Sequence, residues 1–272
     1  MYKLIVCDLD ETLLNDCHTI SQRDITAIQK ALASGVKFVP ATGRGYNCVG
    51  NILKEIGLEN KAGEYVISYN GGAVTENQGI KLLYFKGISF ELAQELYHRG
   101  LQYNVCIQIF TKNMVYVYRA SQGELAYLTG RMEFEEIFEE NIDFLKNQDI
   151  VKMLYGNTDY FYLKRIEHNL KDLDLEIDIS YSSNRYIEFN CKGVNKGSGL
   201  IFLANFLGIK LEETIAIGDN FNDLPMIHTA GLGVGVYNTI EEMKSLCDYI
   251  TSATNNDSAV AEVIEKFVLV DE

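Results

Sequence analysis

The sequence predicts an α/β fold: a parallel sheet flanked by helices, with a smaller α+β module inserted into it. Three observations carry that prediction. Short, fully apolar runs such as Leu4-Ile5-Val6-Cys7 read as strands buried on both faces, as in a parallel sheet. At both ends of the chain such runs alternate with helical stretches, which gives the β-α-β order of crossover connections. In the middle the alternation gives way to pairs of adjacent strands joined by short turns.

The first strand runs from Lys3 into Asp8. Ser21 then caps a helix reaching about Ser34, with Ile25, Ile28, Ala31 and Leu32 as its apolar stripe and Gly35 as its stop. A strand over 36–39 leads into Pro40-Ala41-Thr42-Gly43-Arg44-Gly45. A helix over 46–56 ends at Gly57, and a strand over 65–68 ends in Tyr69-Asn70-Gly71-Gly72; this strand is expected to be the third of the parallel sheet. Residues 73–85 read as a hairpin turning at Glu76-Asn77-Gln78-Gly79.

The α+β module follows, with a helix over 89–98, strands over 105–110 and 115–118, a strand over 151–155, a helix over 159–170, and strands over 175–180 and 186–190. Its acidic run from Glu133 to Glu140 has apolar residues at 134, 137 and 138, with another at 142. That spacing predicts a helix whose glutamates form a solvated face. From Gly193 the parallel pattern resumes. A helix runs from Lys196 to Leu207 and stops at Gly208, and a strand over 214–217 ends in Gly218-Asp219-Asn220-Phe221-Asn222-Asp223. A helix over 224–230, a strand over 232–236, a helix opening near Thr239 and a last helix over 258–267 complete the chain. Asn238 reads as a helix N-cap. The expected division is a core of 1–83 and 190–272 and an inserted module of 84–189.

Composition narrows the function. At 272 residues, 47% hydrophobic and 23% charged, the chain has ample material for a core. Its 38 acidic against 24 basic residues give a net charge of −14, which disfavours nucleic acid as a partner. The six cysteines show no C-x-x-C spacing and read as free thiols in a reducing cytoplasm. No stretch approaches a membrane span, and the start lacks the form of a signal peptide. Oligomeric state is not legible.

In a parallel sheet the strand ends gather on one edge, where ligands bind. Here that edge collects Asp8 and Asp10, Thr42 and Gly43, Asn70 and Gly71, and Asp219, Asn222 and Asp223, with Lys196 at a helix start. Residues i and i+2 of an extended chain point the same way, so Asp8 and Asp10 are expected to address one site. Two carboxylates that close require a cation or a shared proton. Carboxylates, hydroxyl, amide and one ammonium suit a phosphate monoester with Mg²⁺, and a carboxylate can attack phosphorus. Competing readings fail on spacing. Asp8 to Leu13 lacks the third oxygen ligand and the glycine of an EF-hand loop, and the lysine of the 193–199 stretch lies too early for a P-loop. Gly231-Leu232-Gly233-Val234-Gly235 lacks the dinucleotide spacing and reads as a tightly packed strand.

The chain resembles the haloacid dehalogenase (HAD) superfamily, specifically its Cof-like, type IIB phosphatases. Asp8-Leu9-Asp10-Glu11-Thr12-Leu13, Ala41-Thr42-Gly43-Arg44, Gly193-Val194-Asn195-Lys196-Gly197 and Gly218 to Asp223 match the four family motifs in order. Asn70-Gly71-Gly72 and Tyr186-Ile187-Glu188-Phe189 match segments typical of the subgroup. Glu11 departs from the pattern, where glycine is commonest. The resemblance implies a Rossmann-like HAD core with an inserted type IIB cap that closes over the site and selects substrate. It implies Asp8 as nucleophile and Asp10 as general acid/base. It further implies Mg²⁺ held by Asp8, the Asp10 carbonyl and Asp219 with Asp223 in support, and Leu9, Thr42, Gly43, Lys196 and Asn222 around the phosphoryl group. Arg44, Asn70, Gly71 and Glu188 are candidate substrate-facing residues, with a structural ion pair the alternative for Arg44. The implied activity is hydrolysis of small phosphorylated metabolites, such as sugar phosphates or phosphorylated cofactors, through an aspartyl-phosphate. A phosphotransferase or phosphomutase, or a non-catalytic metabolite-binding regulator, are the alternatives; the intact set Asp8, Asp10, Lys196 and Asp219 argues against the last.

Overall fold

The computed structural model describes residues 1–171, 177–182 and 185–269. The chain forms two units, Met1–Phe85 with Asn195–Glu272, and Lys86–Val194. The first unit begins with β1 (Leu4–Cys7), α1 (Gln22–Ala33), β2 (Lys37–Pro40), α2 (Gly50–Glu55), β3 (Tyr65–Ser68), β4 (Ala73–Glu76) and β5 (Lys81–Phe85). The second contains α3 (Phe90–Gly100), β6 (Cys106–Thr111), β7 (Val115–Tyr118), α4 (Gln122–Leu128), β8 (Phe134–Ile137), β9 (Ile150–Gly156), α5 (Tyr160–Asn169), β10 (Ile177–Ser182) and β11 (Tyr186–Cys191). The chain returns to the first unit with α6 (Lys196–Leu207), β12 (Thr214–Gly218), α7 (Leu224–Thr229), β13 (Leu232–Gly235), α8 (Glu241–Lys244), β14 (Tyr249–Ile250) and α9 (Ala259–Phe267).

In the first unit, five parallel strands lie in the order β14-β13-β12-β1-β2, so β1 has neighbours on both edges. Its alternation explains the apolar run. Ile5 and Cys7 pack with Ala27, Ile28 and Ala31 of α1 and with α9, while Leu4 and Val6 face Leu200 and Leu203 of α6 and Met226 of α7. Ser21 caps α1 through its side chain, which accepts the Asp24 N–H, as its position predicts.

Four expectations change here. The strand over 65–68 is not a full member of the parallel sheet. β3 heads an antiparallel β3-β4-β5 sheet, pairing with β4 on one edge, and on the other meets the end of β2 through one bridge, Ala41 to Ile67. The helix over 46–56 is broken into a short 3₁₀ turn, Tyr46–Cys48, and α2. The unit boundaries fall at 85/86 and 194/195, where 83/84 and 189/190 were expected, since β5 stays hydrogen-bonded to β4 through Phe85 and β11 pairs with β10 as far as Cys191. Asn238 caps no helix; Ile240 precedes α8, and the Asn238 amide instead donates to the Glu11 carbonyl at 2.8 Å.

The second unit holds a six-stranded sheet, β10-β11-β9-β6-β7-β8, antiparallel except between β7 and β8. One face carries Ile107, Ile109, Met153, Tyr155, Ile187 and Phe189 against Leu92, Leu96 and Leu163 of its helices. The acidic run is a correction: Phe134–Ile137 is the edge strand β8, paired with β7, and not a helix. Its apolar spacing is helical, and pairing with Val115–Tyr118 overrides it; exposed glutamates on an edge strand also discourage further pairing. Residues 175 and 176 of the expected strand over 175–180 lie outside the described residues, and β10 begins at Ile177. The glycine-rich 231–235 stretch is strand β13. No helix among the described residues is long and apolar enough to cross a membrane.

Candidate active site

Asp8 is the first residue beyond β1, and its N–H still donates to the Ile217 carbonyl at 2.9 Å, so the ladder fixes its backbone. Lys196 opens α6 behind Asn195, which forms a capping box with Ser198. The fully buried Lys196 ammonium donates to Asp8 Oδ1 and, at 2.5 Å, to Asp223 Oδ1. The turn after β12 supplies Asp219 and Asp223. Asp223 Oδ2 accepts the N–H groups of Asp219 and Asn220, both at 3.1 Å, which ties the turn to its own carboxylate.

Oxygens of Asp8, Asp219 and Asp223 lie within 4.8 Å of one another, and all three residues are buried. Burial raises the Asp8 carboxyl to about 7, helped by the Asp223 charge and opposed by Lys196. Burial, with the charges of Asp223 and Asp8, pushes Asp219 up to about 9. Burial pulls the Lys196 ammonium down, but the charges of Asp223 and Asp8 outweigh it and hold it above the ordinary lysine value. Three carboxylates against one ammonium leave a local excess of negative charge. The site therefore fits a hard divalent cation, with Asp8 and Asp219 as carboxylate ligands and Asp223 as a support already engaged by two amides and Lys196.

Asp10 does not join this cluster, against the expectation from its i+2 spacing. Its carboxylate receives both arms of the Arg44 guanidinium, with Nε to Oδ2 at 3.0 Å. The chain turns sharply after Asp10: Glu11 has φ +60°, and the N–H groups of Leu13 and Leu14 return to the Leu9 carbonyl. Leu9, between the two aspartates, already lies in this turn, so the extended run on which the spacing argument rests ends before it. The Glu11 conformation also explains why glycine suits this position. Leu9 buries its side chain in the core, so only its main chain is available to a ligand.

Thr42 is buried and hydrogen-bonded on both sides of its backbone, to the Ile67 carbonyl and the Asn70 N–H; its hydroxyl accepts the Arg44 N–H at 3.1 Å. Asn70 is left-handed (φ 54°, ψ 38°), and its side-chain oxygen faces Asn222 Nδ2 at 3.5 Å and lies close to Gly43. The strand ends thus bring Thr42, Gly43, Asn70 and Asn222 together. Gly71 has a structural task. At φ +94°, a Cβ would run into the Asn195 carbonyl, so its absence lets the start of α6, and with it Lys196, approach the 69–71 turn. Glu188 lies in the other unit, buried in an ion pair with Lys152 at 2.6 Å and hydrogen-bonded to Ser182. No role is expected of Thr12 from the motifs, yet its hydroxyl donates to Asp219 Oδ1 at 2.7 Å. Its place in the Asp8-x-Asp10-x-Thr12 pattern was the available signal.

The sequence matches the haloacid dehalogenase-like hydrolase family over residues 5–264. It is 32% identical to YxeH of Bacillus subtilis over 274 residues, covering 99% of each chain. It is 30% identical over 267 residues to the 5-amino-6-(5-phospho-D-ribitylamino)uracil phosphatase YcsE of the same organism, covering 98% of this chain and 96% of the relative. Among solved structures, a haloacid dehalogenase-like hydrolase from Bacteroides thetaiotaomicron matches with a TM-score of 0.85 at 30% identity, covering 98% of this chain and 99% of the other.

Proposed function

This chain belongs to the haloacid dehalogenase-like hydrolases and is a phosphatase, and within that family we propose that it hydrolyses small phosphorylated metabolites with Mg²⁺ through an aspartyl-phosphate on Asp8. The observation that carries the reading is the meeting of Asp8, Lys196, Asp219 and Asp223 at the end of β1. The metal, when bound, screens the repulsion between the carboxylates and the incoming phosphate and stabilises charge on the transferred group.

The residues divide the remaining work. An Asp8 oxygen attacks phosphorus, and the bond to the leaving oxygen breaks. Asp10 gives that oxygen its proton, then takes one from the water that cleaves the aspartyl-phosphate, so both protons are accounted for. Lys196, the Thr42 hydroxyl, the main chain of Leu9 and Gly43, and the Asn222 amide bind the phosphoryl oxygens, whose charge is spread over three atoms. Thr12 holds Asp219 in place for the metal. The inserted unit is assigned the selection of substrate.

Sugar phosphates and phosphorylated ribityl compounds are the substrate classes to try first, the latter on the name of YcsE. A panel of phosphorylated metabolites, assayed with and without Mg²⁺, tests the class. Asp8→Asn should abolish hydrolysis of p-nitrophenyl phosphate with the fold intact. Retained turnover, or a phosphoryl group trapped on another residue, would overturn the nucleophile assignment.

A further inference from the structure

Arg44 is a candidate for touching substrate, yet two of its guanidinium nitrogens, Nε and Nη2, meet Asp10. We infer that Arg44 is a positioning residue, which fixes the rotamer of Asp10 so that its carboxyl meets the leaving-group oxygen. The inference rests on the acid/base reading of Asp10 above.

The backbone of Asp10 is already constrained. Asp8 before it is tied to β12 through the Ile217 carbonyl, and Glu11 after it is left-handed with its carbonyl held by Asn238. What stays free is the Asp10 side chain, which is 47% exposed and outside the carboxylate cluster. Arg44 removes that freedom. Its own backbone is pinned at both polar groups, the N–H to the Thr42 hydroxyl at 3.1 Å and the carbonyl by the Tyr69 N–H at 3.0 Å. From there the planar fork meets both Asp10 oxygens, a geometry that lysine cannot reproduce. The two-point Arg–carboxylate geometry is the case in which a partly exposed ion pair holds one arrangement, so its main consequence is orientation. Two of the four lone-pair directions of the carboxylate remain for proton exchange with the leaving oxygen or water.

The experiment compares two phosphate esters in Arg44→Ala, Arg44→Lys and Asp10→Asn, each checked for an unchanged thermal transition. p-Nitrophenolate leaves without a proton, whereas the alkoxide of a primary alkyl phosphate needs one. Loss of positioning should therefore lower the single-turnover rate of leaving-group release, which precedes the water step shared by both esters, about 10- to 100-fold on the alkyl ester and only a few-fold on p-nitrophenyl phosphate. Arg44→Lys should remain defective on the alkyl ester, added guanidinium should partly restore Arg44→Ala, and Arg44→Ala should cost nothing further in the Asp10→Asn background. Equal losses on both esters, a change confined to KM, or losses that multiply with Asp10→Asn would overturn the inference. If Asp10→Asn itself shows no dependence on the leaving group, the acid/base reading fails. If Asp10→Asn shows it and the Arg44 variants do not, the positioning role alone fails.

Discussion

Replacing Lys196 with methionine keeps most of the side-chain volume and removes the ammonium shared by Asp8 and Asp223. The effect should depend on pH, with a sign fixed by the carboxylates. Asp8 and Asp219 have folded-state values raised to about 7 and about 9, above the unfolded value near 4. A group raised on folding favours the folded state while protonated, below its unfolded value. That contribution is lost as pH climbs towards the folded value. Lys196 opposes the rise, so its loss enlarges the penalty from about pH 4 upward. Removing one partner of a buried ion pair costs about 3–5 kcal/mol when the remaining charge stays ionised. In buffer with a chelator, Lys196→Met should be destabilised by about that amount at pH 8 and by close to nothing below pH 4. Denaturant titrations at stepped pH measure the difference. With Mg²⁺ present, the folded variant should lose about 10²- to 10³-fold in kcat, the cost of one lost charge-stabilising donor. Equal destabilisation at pH 4 and pH 8, or activity within tenfold of the parent, would refute the assignment of Lys196 to these carboxylates.

Three further outcomes are expected. Thr12→Val removes the hydroxyl from Asp219 Oδ1, and a divalent cation should bind about 10- to 100-fold more weakly, read as the Mg²⁺ concentration for half activation. Because Asp8 and Asp219 titrate near and above neutrality, cation binding at pH 7 should release protons; calorimetry in buffers of different ionisation enthalpy detects this, and buffer-independent heats would contradict it. Glu11→Gly relieves a left-handed conformation at an exposed site and should stabilise by about 1 kcal/mol, provided its measured gain appears in the denaturant midpoint with an unchanged slope.

Much of the site was legible because it is local. β1 announces itself by an apolar run that ends in a carboxylate, and alternate residues of that run serve two different helix layers. Ser21 before α1, Asn195-Lys196 opening α6 and Gly208 closing it are signals confined to one turn of chain. The order of the strand ends was enough to put Asp8, Thr42 and Asp219 on one edge, since parallel connections leave few alternatives; Asn70 reaches it through the single bridge between Ile67 and Ala41.

What the tertiary structure decided concerns partners far apart in sequence. Thr12 and Asp219 are joined across the whole domain, and the Asp10 carboxylate turns to Arg44 although its spacing pointed it at Asp8. Asn238 holds the Glu11 carbonyl instead of capping a helix, and Gly71 makes room for the start of α6. The acidic run became β8 because an edge of β7 was available to pair with it. Local sequence fixes which conformations and charges a segment can offer; only the folded chain decides which of them meet, because burial and pairing energies arise between segments that share no sequence neighbourhood.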